Sequence, residues 1–280
     1  MKTVISASRR TDLVAFFPEW LAGALRQGRA SVHGPPGRTR HVDVDLASVH
    51  TLVLWSKDFS NLISDRHGLR RLAKRYPLYF LFTVTGLGGT PAEPDAPEPG
   101  AALAHLPELV ALAGTARRVS LRFDPVVFWD DGGTPRSNLA FFETAAEHAA
   151  RAGVEDVRIS FAQWYRKAVR RARVRGFEFT DPDESKKIEA AAWLAEVAAR
   201  RKIRLHSCSQ VFLTRVPGIQ SSSCIDGRHL RDLHPRGEDA SVIKDRSQRP
   251  ECGCTESVDI GSYAQTCPHG CVYCYANPRG

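Results

Sequence analysis

Three cysteines near the end of the chain have the spacing of an iron–sulfur site. Cys267, Cys271 and Cys274 form a C-x3-C-x2-C run, with an aromatic residue directly before the last cysteine. Three thiolates can bind three irons of a [4Fe–4S] cube and leave the fourth iron open to a ligand that is not protein. A structural zinc ion needs four protein ligands, so the spacing favours the cluster. A zinc knuckle completed by His269 is the alternative.

The other four cysteines supply enough thiolates for a second site. Cys208 follows the last predicted strand, Cys224 comes next, and Cys252 and Cys254 form a C-x-C pair shortly before the three-cysteine run. Four thiolates suit either an auxiliary [4Fe–4S] cluster or a structural zinc ion. Ordinary buried thiols are a further alternative for Cys208 and Cys224. We predict the auxiliary cluster.

Composition and charge limit the class of protein. The 280 residues are 42% hydrophobic and 25% charged, which is typical of a globular chain. The net charge of +8 is consistent with a solvated basic surface or with an anionic partner, which would be nucleic acid, a phosphorylated metabolite or an acidic electron donor. The sequence shows neither a signal peptide nor an apolar run long enough for a membrane span. Together with the clustered cysteines, this predicts a cytoplasmic protein with metal or redox chemistry.

The elements that must position these cysteines form a strand-then-helix rhythm. Apolar, β-branched and aromatic runs predict six strands, at 3–7, 51–55, 78–85, 118–123, 157–161 and 203–207. Strands that alternate with helices predict a parallel sheet buried on both faces. We expect an α/β fold built as a partial (β/α)6 TIM-type barrel. An open parallel α/β sheet is the alternative, although no G-x-G-x-x-G turn follows the first strand.

The character of the chain changes at about residue 208. The tail is polar, rich in Gly, Ser and Cys, and only weakly periodic, with one candidate strand at 258–263. A long segment with so little secondary structure needs other interactions to stabilise its fold, and metal ligation can contribute that folding free energy. We therefore predict a barrel-like domain at 1–207. A cysteine-rich, cluster-binding segment at 208–280 would fold over its mouth.

Several motifs resemble those of known families. The C-x3-C-x-aromatic-C run is similar to the signature of the radical S-adenosylmethionine (SAM) superfamily, and HGCVYCYA resembles the cluster loop of spore-photoproduct-lyase-like proteins. Over nearly its whole length the chain resembles an uncharacterised bacterial family, domain of unknown function 1848. That resemblance rests on the opening SASRRTD, the Trp55-Ser-Lys segment, Arg122-Phe-Asp-Pro125 and the closing cysteine-rich run.

The radical SAM resemblance implies an enzyme. In that superfamily SAM chelates the open iron, and an electron from the reduced cluster breaks a carbon–sulfur bond to give methionine and a 5′-deoxyadenosyl radical. A low-potential donor such as flavodoxin or ferredoxin is implied as partner. Superfamily members usually carry the motif after the first barrel strand, whereas here it follows all six predicted strands. The arrangement therefore looks circularly permuted, and the tail must fold back across the carboxyl ends of the strands.

Polar residues at the ends of the predicted strands are the candidate lining of a SAM and substrate site. Their hydroxyl, guanidinium and carboxylate groups suit a ribose, a methionine carboxylate and a substrate. The alternative is that several of them form a structural ion-pair network at the rim. The candidates are Arg9, Arg10, Asp12, Lys57, Thr85, Arg122, Asp124 and Ser160.

A basic run after the fifth predicted strand leaves the substrate class open. Residues 165–175 hold six cations, and Trp164 and Tyr165 are available for base stacking. Such a run can follow a phosphate backbone, or it can be a solvated helical face. Nucleic acid is therefore a candidate substrate. The rival functions are a non-catalytic iron–sulfur electron carrier or redox sensor, and a zinc-stabilised nucleic-acid-binding module.

Overall fold

The computed structural model describes residues 1–34, 38–276 and 278, and its main element is one large β-sheet. The strands are β1 (Thr3–Ala7), β2 (Arg29–His33), β3 (Thr39–Asp43), β4 (Val49–Ser56), β5 (Leu78–Thr83), β6 (Val119–Val126), β7 (Phe128–Asp131), β8 (Thr134–Ser137), β9 (Asp156–Phe161), β10 (Phe179–Thr180), β11 (Arg204–Cys208), β12 (Ile219–Ser222) and β13 (Val258–Asp259). The α-helices are α1 (Leu13–Phe16), α2 (Pro18–Gln27), α3 (Ser60–Ile63), α4 (Leu69–Ala73), α5 (Pro99–Leu103), α6 (Leu106–Ala113), α7 (Phe141–Arg151), α8 (Arg166–Val174), α9 (Glu184–Arg200) and α10 (Gly227–Leu233).

Eight of these strands form the main sheet, in the order β12-β11-β9-β6-β5-β4-β1-β13. Every neighbouring pair is parallel, so the predicted parallel sheet is confirmed. From β1 to β12 the spatial order follows the chain order. The last strand returns beside the first, with Val258 aligned to Ile5 and Asp259 aligned to Ser6. The carboxyl ends of all eight strands therefore lie at one edge.

The sheet departs from the prediction in strand number and in closure. It has eight strands rather than six, because β12 and β13 are too short to show a period in sequence and are held by pairing with longer neighbours. Over the described part of the chain no pairing joins β12 to β13. The fold shown is therefore a mixed α/β fold that is consistent with an open parallel sheet. Neither a closed barrel nor an iron–sulfur extension is shown for those residues.

Both faces of the sheet are covered, which explains the nearly continuous apolar strands. Side chains alternate between the faces along each strand. One face, with Leu54, Phe80 and Leu121, packs in the large core that includes the helices. The opposite face, with Val53 and Leu81, packs against apolar residues and cysteines of the segment 224–254. That segment, which includes α10, lies over the sheet on the side away from α1–α7 and α9.

Smaller elements complete the fold. The strands β2 and β3 form an antiparallel hairpin, and β10, β7 and β8 form a second antiparallel sheet. The helical stretch 99–113 is divided into α5 and α6, and Pro107 occupies the first turn of α6, where proline is well tolerated. No helix within residues 1–34, 38–276 and 278 is long and apolar enough to cross a bilayer.

Candidate functional site

A cavity of about 260 Å³ lies at the carboxyl edge of the sheet. Its walls come from the ends of six parallel strands and from the C-terminal segment, which is where open α/β sheets bind ligands. All seven cysteines of the chain line it, namely Cys208, Cys224, Cys252, Cys254, Cys267, Cys271 and Cys274. None of them forms a disulfide. The fold thus gathers thiols that are far apart in sequence around one cavity.

Seven of the eight candidate cofactor-binding residues also line this cavity. They are Arg9, Arg10, Asp12, Lys57, Arg122, Asp124 and Ser160. Thr85 is the exception: it lies behind Lys57 in a smaller pocket, where its Oγ1 donates to Oε1 of Glu93 at 2.5 Å. The strand ends therefore meet at one place, as expected for parallel strands.

The loop that carries the last three cysteines turns at Gly270. Its φ of +67° disfavours a side chain, and a Cβ there would stand 3.2 Å from Arg175 and Pro94. Burial raises the pKa of Cys267 to about 11 and that of Cys271 well above the usual range. A metal centre would have to displace these protons, since thiolates are the ligands.

The positions of the potential ligand side chains limit how a single metal ion could bind. Among the described residues, no three His, Cys, Asp or Glu side chains surround one point closely enough to hold a single metal ion. Thiolates that bind different irons of a cube stand around a larger body than one ion. Cys267, Cys271 and Cys274 line one cavity, and their thiols are the donor type that iron–sulfur clusters and zinc ions take.

Asp12 anchors the cysteine loop to the sheet edge. Its carboxylate caps α1 by accepting from the backbone N–H of Ala15 at 3.0 Å. It also accepts from Oγ of Ser56 at 2.8 Å and from the backbone N–H of Lys57 at 2.9 Å. His269, from the cysteine loop, contacts the same carboxylate at 2.9 Å. One buried acid therefore joins the ends of β1 and β4 to the loop.

His269 is fully engaged by these contacts. Its Nδ1 atom lies 3.2 Å from the carbonyl oxygen of Asp95, and its ring packs edge-on against Phe16 with centroids 4.6 Å apart. Both ring nitrogens thus contact protein oxygens. A zinc knuckle completed by this histidine would have to break one of these contacts, which counts against that alternative.

Two cations of the predicted basic run hold the same loop from the other side. Nη1 of Arg171 donates to the carbonyl oxygens of Cys271, Val272 and Cys274, at 3.3, 2.7 and 3.1 Å. Arg175 donates to the carbonyl oxygen of Gly270. These side chains satisfy carbonyl groups of an irregular loop that lacks a regular ladder.

The other cations of the basic run are exposed to solvent, and the two aromatic residues before it differ in their surroundings. Trp164, proposed above for base stacking, lies against Phe179 with ring centroids 3.8 Å apart. Tyr165 is 39% exposed and lines the cavity. The exposed cations of α8 are Arg166, Lys167, Arg170 and Arg173, and we call these four residues the α8 basic face. The α8 basic face and the loop-holding arginines share one helix.

Glu93 is a buried acid that sequence reasoning missed. Lys57 donates to its Oε2 at 2.9 Å, and the hydroxyl groups of Thr85 and Tyr273 donate to its Oε1. Burial opposes the charge of Lys57, but Glu93 and the thiol of Cys271 raise the lysine pKa overall. Glu93 lies in a Gly- and Pro-rich loop without periodicity, so no sequence signal distinguished it from a solvated acid.

Arg122 and Arg9 both contact the ring of Trp55 in the cavity wall, with guanidinium carbons 5.0 and 5.3 Å from its centroid. Arg122 pairs with Asp124, which also accepts from Ser160. The ion-pair network considered for the rim is therefore present at Arg122 and Asp124. Arg9 instead contacts Oγ of Ser257 at 3.2 Å, and its closest carboxylate is Asp245 at 3.9 Å.

Several donors in this part of the cavity are unused. Within the described residues, Nη2 of Arg9, Nε of Arg122, Nε1 of Trp55 and Oγ1 of Thr11 are buried without a hydrogen-bond partner. Buried donors are normally satisfied, so these atoms indicate a ligand rich in acceptors. The guanidinium groups favour an anionic one.

Fold and site define a mixed α/β protein with a cysteine-lined cavity at the carboxyl edge of a parallel sheet. The chain belongs to the family described as Domain of unknown function (DUF1848), whose model matches residues 4–276. No curated protein matches the chain. The family match begins at the second residue of β1 and runs through the cysteine loop, so all eight strands of the main sheet except Thr3, and all seven cysteines, fall within it.

Proposed function

We propose that this protein is a radical SAM enzyme whose [4Fe–4S] cluster is bound by Cys267, Cys271 and Cys274. The observation that carries the proposal is their position on one cavity with the polar ends of six parallel strands. When bound, such a cluster supplies the electron that breaks a carbon–sulfur bond of SAM. The substrate would lie in the same cavity, because the radical can abstract hydrogen only from an atom that it contacts.

The protein's own residues would orient and shield the site. Asp12 and Arg171 hold the cysteine loop from opposite sides through the contacts given above. Burial of Cys271 and of the Lys57–Glu93 pair keeps water away from the loop. The buried, unpaired hydroxyl group of Thr11, which lines the same cavity, suits a polar group of SAM or of an anionic substrate.

We also propose that the sheet is the wall of a partial barrel with a circularly permuted cluster loop. Two features support this. Strand order follows chain order from β1 to β12, and β13 stands on the free side of β1. The segment 224–254, with α10, covers the face of the sheet opposite α1–α7 and α9, which would be the inside of such a barrel.

For the electron donor we propose a low-potential acidic protein of the cytoplasm, such as flavodoxin or ferredoxin. The support is electrostatic: the chain has a net charge of +8, and the α8 basic face lies on the helix whose arginines grip the cysteine loop. Complementary charge steers association and places a donor beside the site it reduces.

The test is anaerobic reconstitution with iron and sulfide, followed by reduction and addition of SAM. We expect 5′-deoxyadenosine to form, and we expect the electron paramagnetic resonance signal of the reduced cluster to change on adding SAM. The control is the variant C267A/C271A/C274A. If wild type forms no more 5′-deoxyadenosine than this control, the proposal fails in favour of an electron carrier or redox sensor.

Nucleic acid is the second candidate for the substrate, and Tyr165 favours it. This exposed ring lines the cavity and directly precedes the α8 basic face. Phosphate contacts must weaken as salt rises. We expect single-stranded oligonucleotides to bind with a salt-dependent affinity that falls at least several-fold in R166E/K167E; binding that is indifferent to salt would count against this class.

A further inference from the structure

We propose that Cys208, Cys224, Cys252 and Cys254 bind a second iron–sulfur cluster in the wall of the same cavity. We call these four residues the cysteine quartet. The inference concerns a site separate from the three-cysteine loop, and it does not require that SAM be cleaved.

The fold brings the cysteine quartet together from three chain segments. Cys208 ends β11, Cys224 lies just after β12, and the sulfurs of these two are 3.5 Å apart. The loop with the C-x-C pair is bonded to the segment after β12: the backbone N–H of Ile225 contacts the sulfur of Cys254 at 3.4 Å, and that of Thr255 donates to the carbonyl of Ile225 at 2.9 Å. These bonds hold the thiols beside one another.

The surroundings of the quartet suit a buried anion. Four thiolates around an iron–sulfur core carry negative charge, which is costly to bury without compensation. Arg9 and Arg122 line the same cavity, and each keeps one buried nitrogen unpaired. The indole N–H of Trp55, whose ring contacts both guanidinium groups, is unpaired as well. Such donors stabilise cluster sulfurs and help to set the reduction potential.

Ordinary buried thiols would not need these neighbours. A structural cysteine behaves as a small hydrophobe, and two arginines with unused donors are poor partners for it. A cube needs the contacting thiols of Cys208 and Cys224 to separate. We expect a change of χ1 rotamer at Cys208, which is half-buried at the cavity, to separate them.

The experiment compares two variants of the full chain after the same anaerobic reconstitution. C267A/C271A/C274A leaves the quartet intact, and C252A/C254A removes half of it. Iron, acid-labile sulfide and zinc are measured per chain, with far-ultraviolet circular dichroism as the control for folding. We expect about eight irons in wild type and about four in each variant. The signal of C267A/C271A/C274A should not respond to SAM, whereas that of C252A/C254A should.

The decisive sample is C267A/C271A/C274A, because its substitutions do not touch the quartet. A folded variant without iron and sulfide, or with one zinc ion per chain, overturns the proposal even if C252A/C254A does not fold. This failure is distinguishable from failure of the proposed function. About four irons in C267A/C271A/C274A with no 5′-deoxyadenosine from wild type would leave the second cluster in place and reject only the SAM chemistry.

Discussion

The Nε2 atom of His269 lies 2.9 Å from Oδ2 of Asp12, although the two residues are 257 positions apart in the chain. This contact joins the cysteine loop to the cap of the first helix. The same carboxylate accepts from Ser56 and Lys57 at the end of β4. Asp12 therefore links the loop to the ends of β1 and β4, alongside the contacts that Arg171 and Arg175 make to the loop carbonyls.

Replacing Asp12 by Asn should loosen the cysteine loop. Asn caps helices as well as Asp does, so α1 keeps its cap. The amide has only one acceptor oxygen, however, and cannot serve Ser56, Lys57 and His269 together. We expect D12N to lower the free energy of unfolding by about 1–3 kcal/mol and to lose iron to a chelator several-fold faster. D183N, at the exposed cap of α9, is the matched control and should do neither. Equal behaviour of the two variants would contradict this role.

Breaking the Lys57–Glu93 pair should be costly. The side chain of Glu93 is only 2% exposed, and its substitution by Gln leaves the ammonium group of Lys57 without its charged partner. We expect E93Q to lower the free energy of unfolding by about 3–5 kcal/mol in denaturant titrations. E108Q breaks a long, exposed contact to Arg70 at 3.9 Å and should cost about 0–1 kcal/mol. If E93Q were as stable as E108Q, the pair would not support the loop.

Arg171 should determine how firmly the loop holds its cluster. R171Q removes donors from three loop carbonyls, and their replacement by water requires the loop to open. We expect iron release to a chelator to be several-fold faster in R171Q than in wild type, with the helix content unchanged. The exposed neighbour Arg170 supplies the control R170Q, which should release iron at the wild-type rate. The prediction is rejected if both variants behave alike.

The α8 basic face should govern electron delivery by a protein donor. K167E/R170E reverses two of its charges, so an acidic flavodoxin should associate more slowly, by roughly tenfold or more at low salt. Reduction by dithionite should not change, because it needs no docking. The control K74E/R75E makes the same charge change just before β5, at the opposite edge of the sheet. Equal slowing by both double variants would indicate a net-charge effect rather than a docking face.

Asp156 should make stability depend on pH in acid. Burial alone would raise its pKa, but hydrogen bonds from His206 and Arg204 lower the pKa well below the usual range. Because the pKa of Asp156 is lower in the folded state than in the unfolded state, its ionised carboxylate stabilises the folded protein. This stabilisation is complete above the unfolded-state pKa of about 3.9, and it is lost as the pH falls through the folded-state pKa. D156N should therefore be less stable than wild type by about 1–3 kcal/mol at pH 7. In urea titrations the difference should shrink as the pH is lowered below about 4; a constant difference would contradict the linkage.

The strands and the cysteines were accessible from sequence for different reasons. β4 and β5 are buried on both faces, so their apolar runs are unambiguous. The cysteines were recognised by their spacing in the chain, because ligands of one cluster often come from a short loop. Glu93 was not accessible, because an acid in a Gly- and Pro-rich loop looks the same whether solvated or buried. The strands β12 and β13 were missed or only suspected, since their partners are distant in the chain.

By itself the sequence determined the parallel α/β class, the polar residues at the strand ends and the pattern of thiols, because these follow from local periodicity and spacing. Only the tertiary structure decided that all seven cysteines share one cavity, that Arg171 serves the loop rather than the solvent, and that Asp12 meets His269. Such contacts depend on how distant segments pack, and packing depends on shape and buried polar partners that no short stretch of chain encodes.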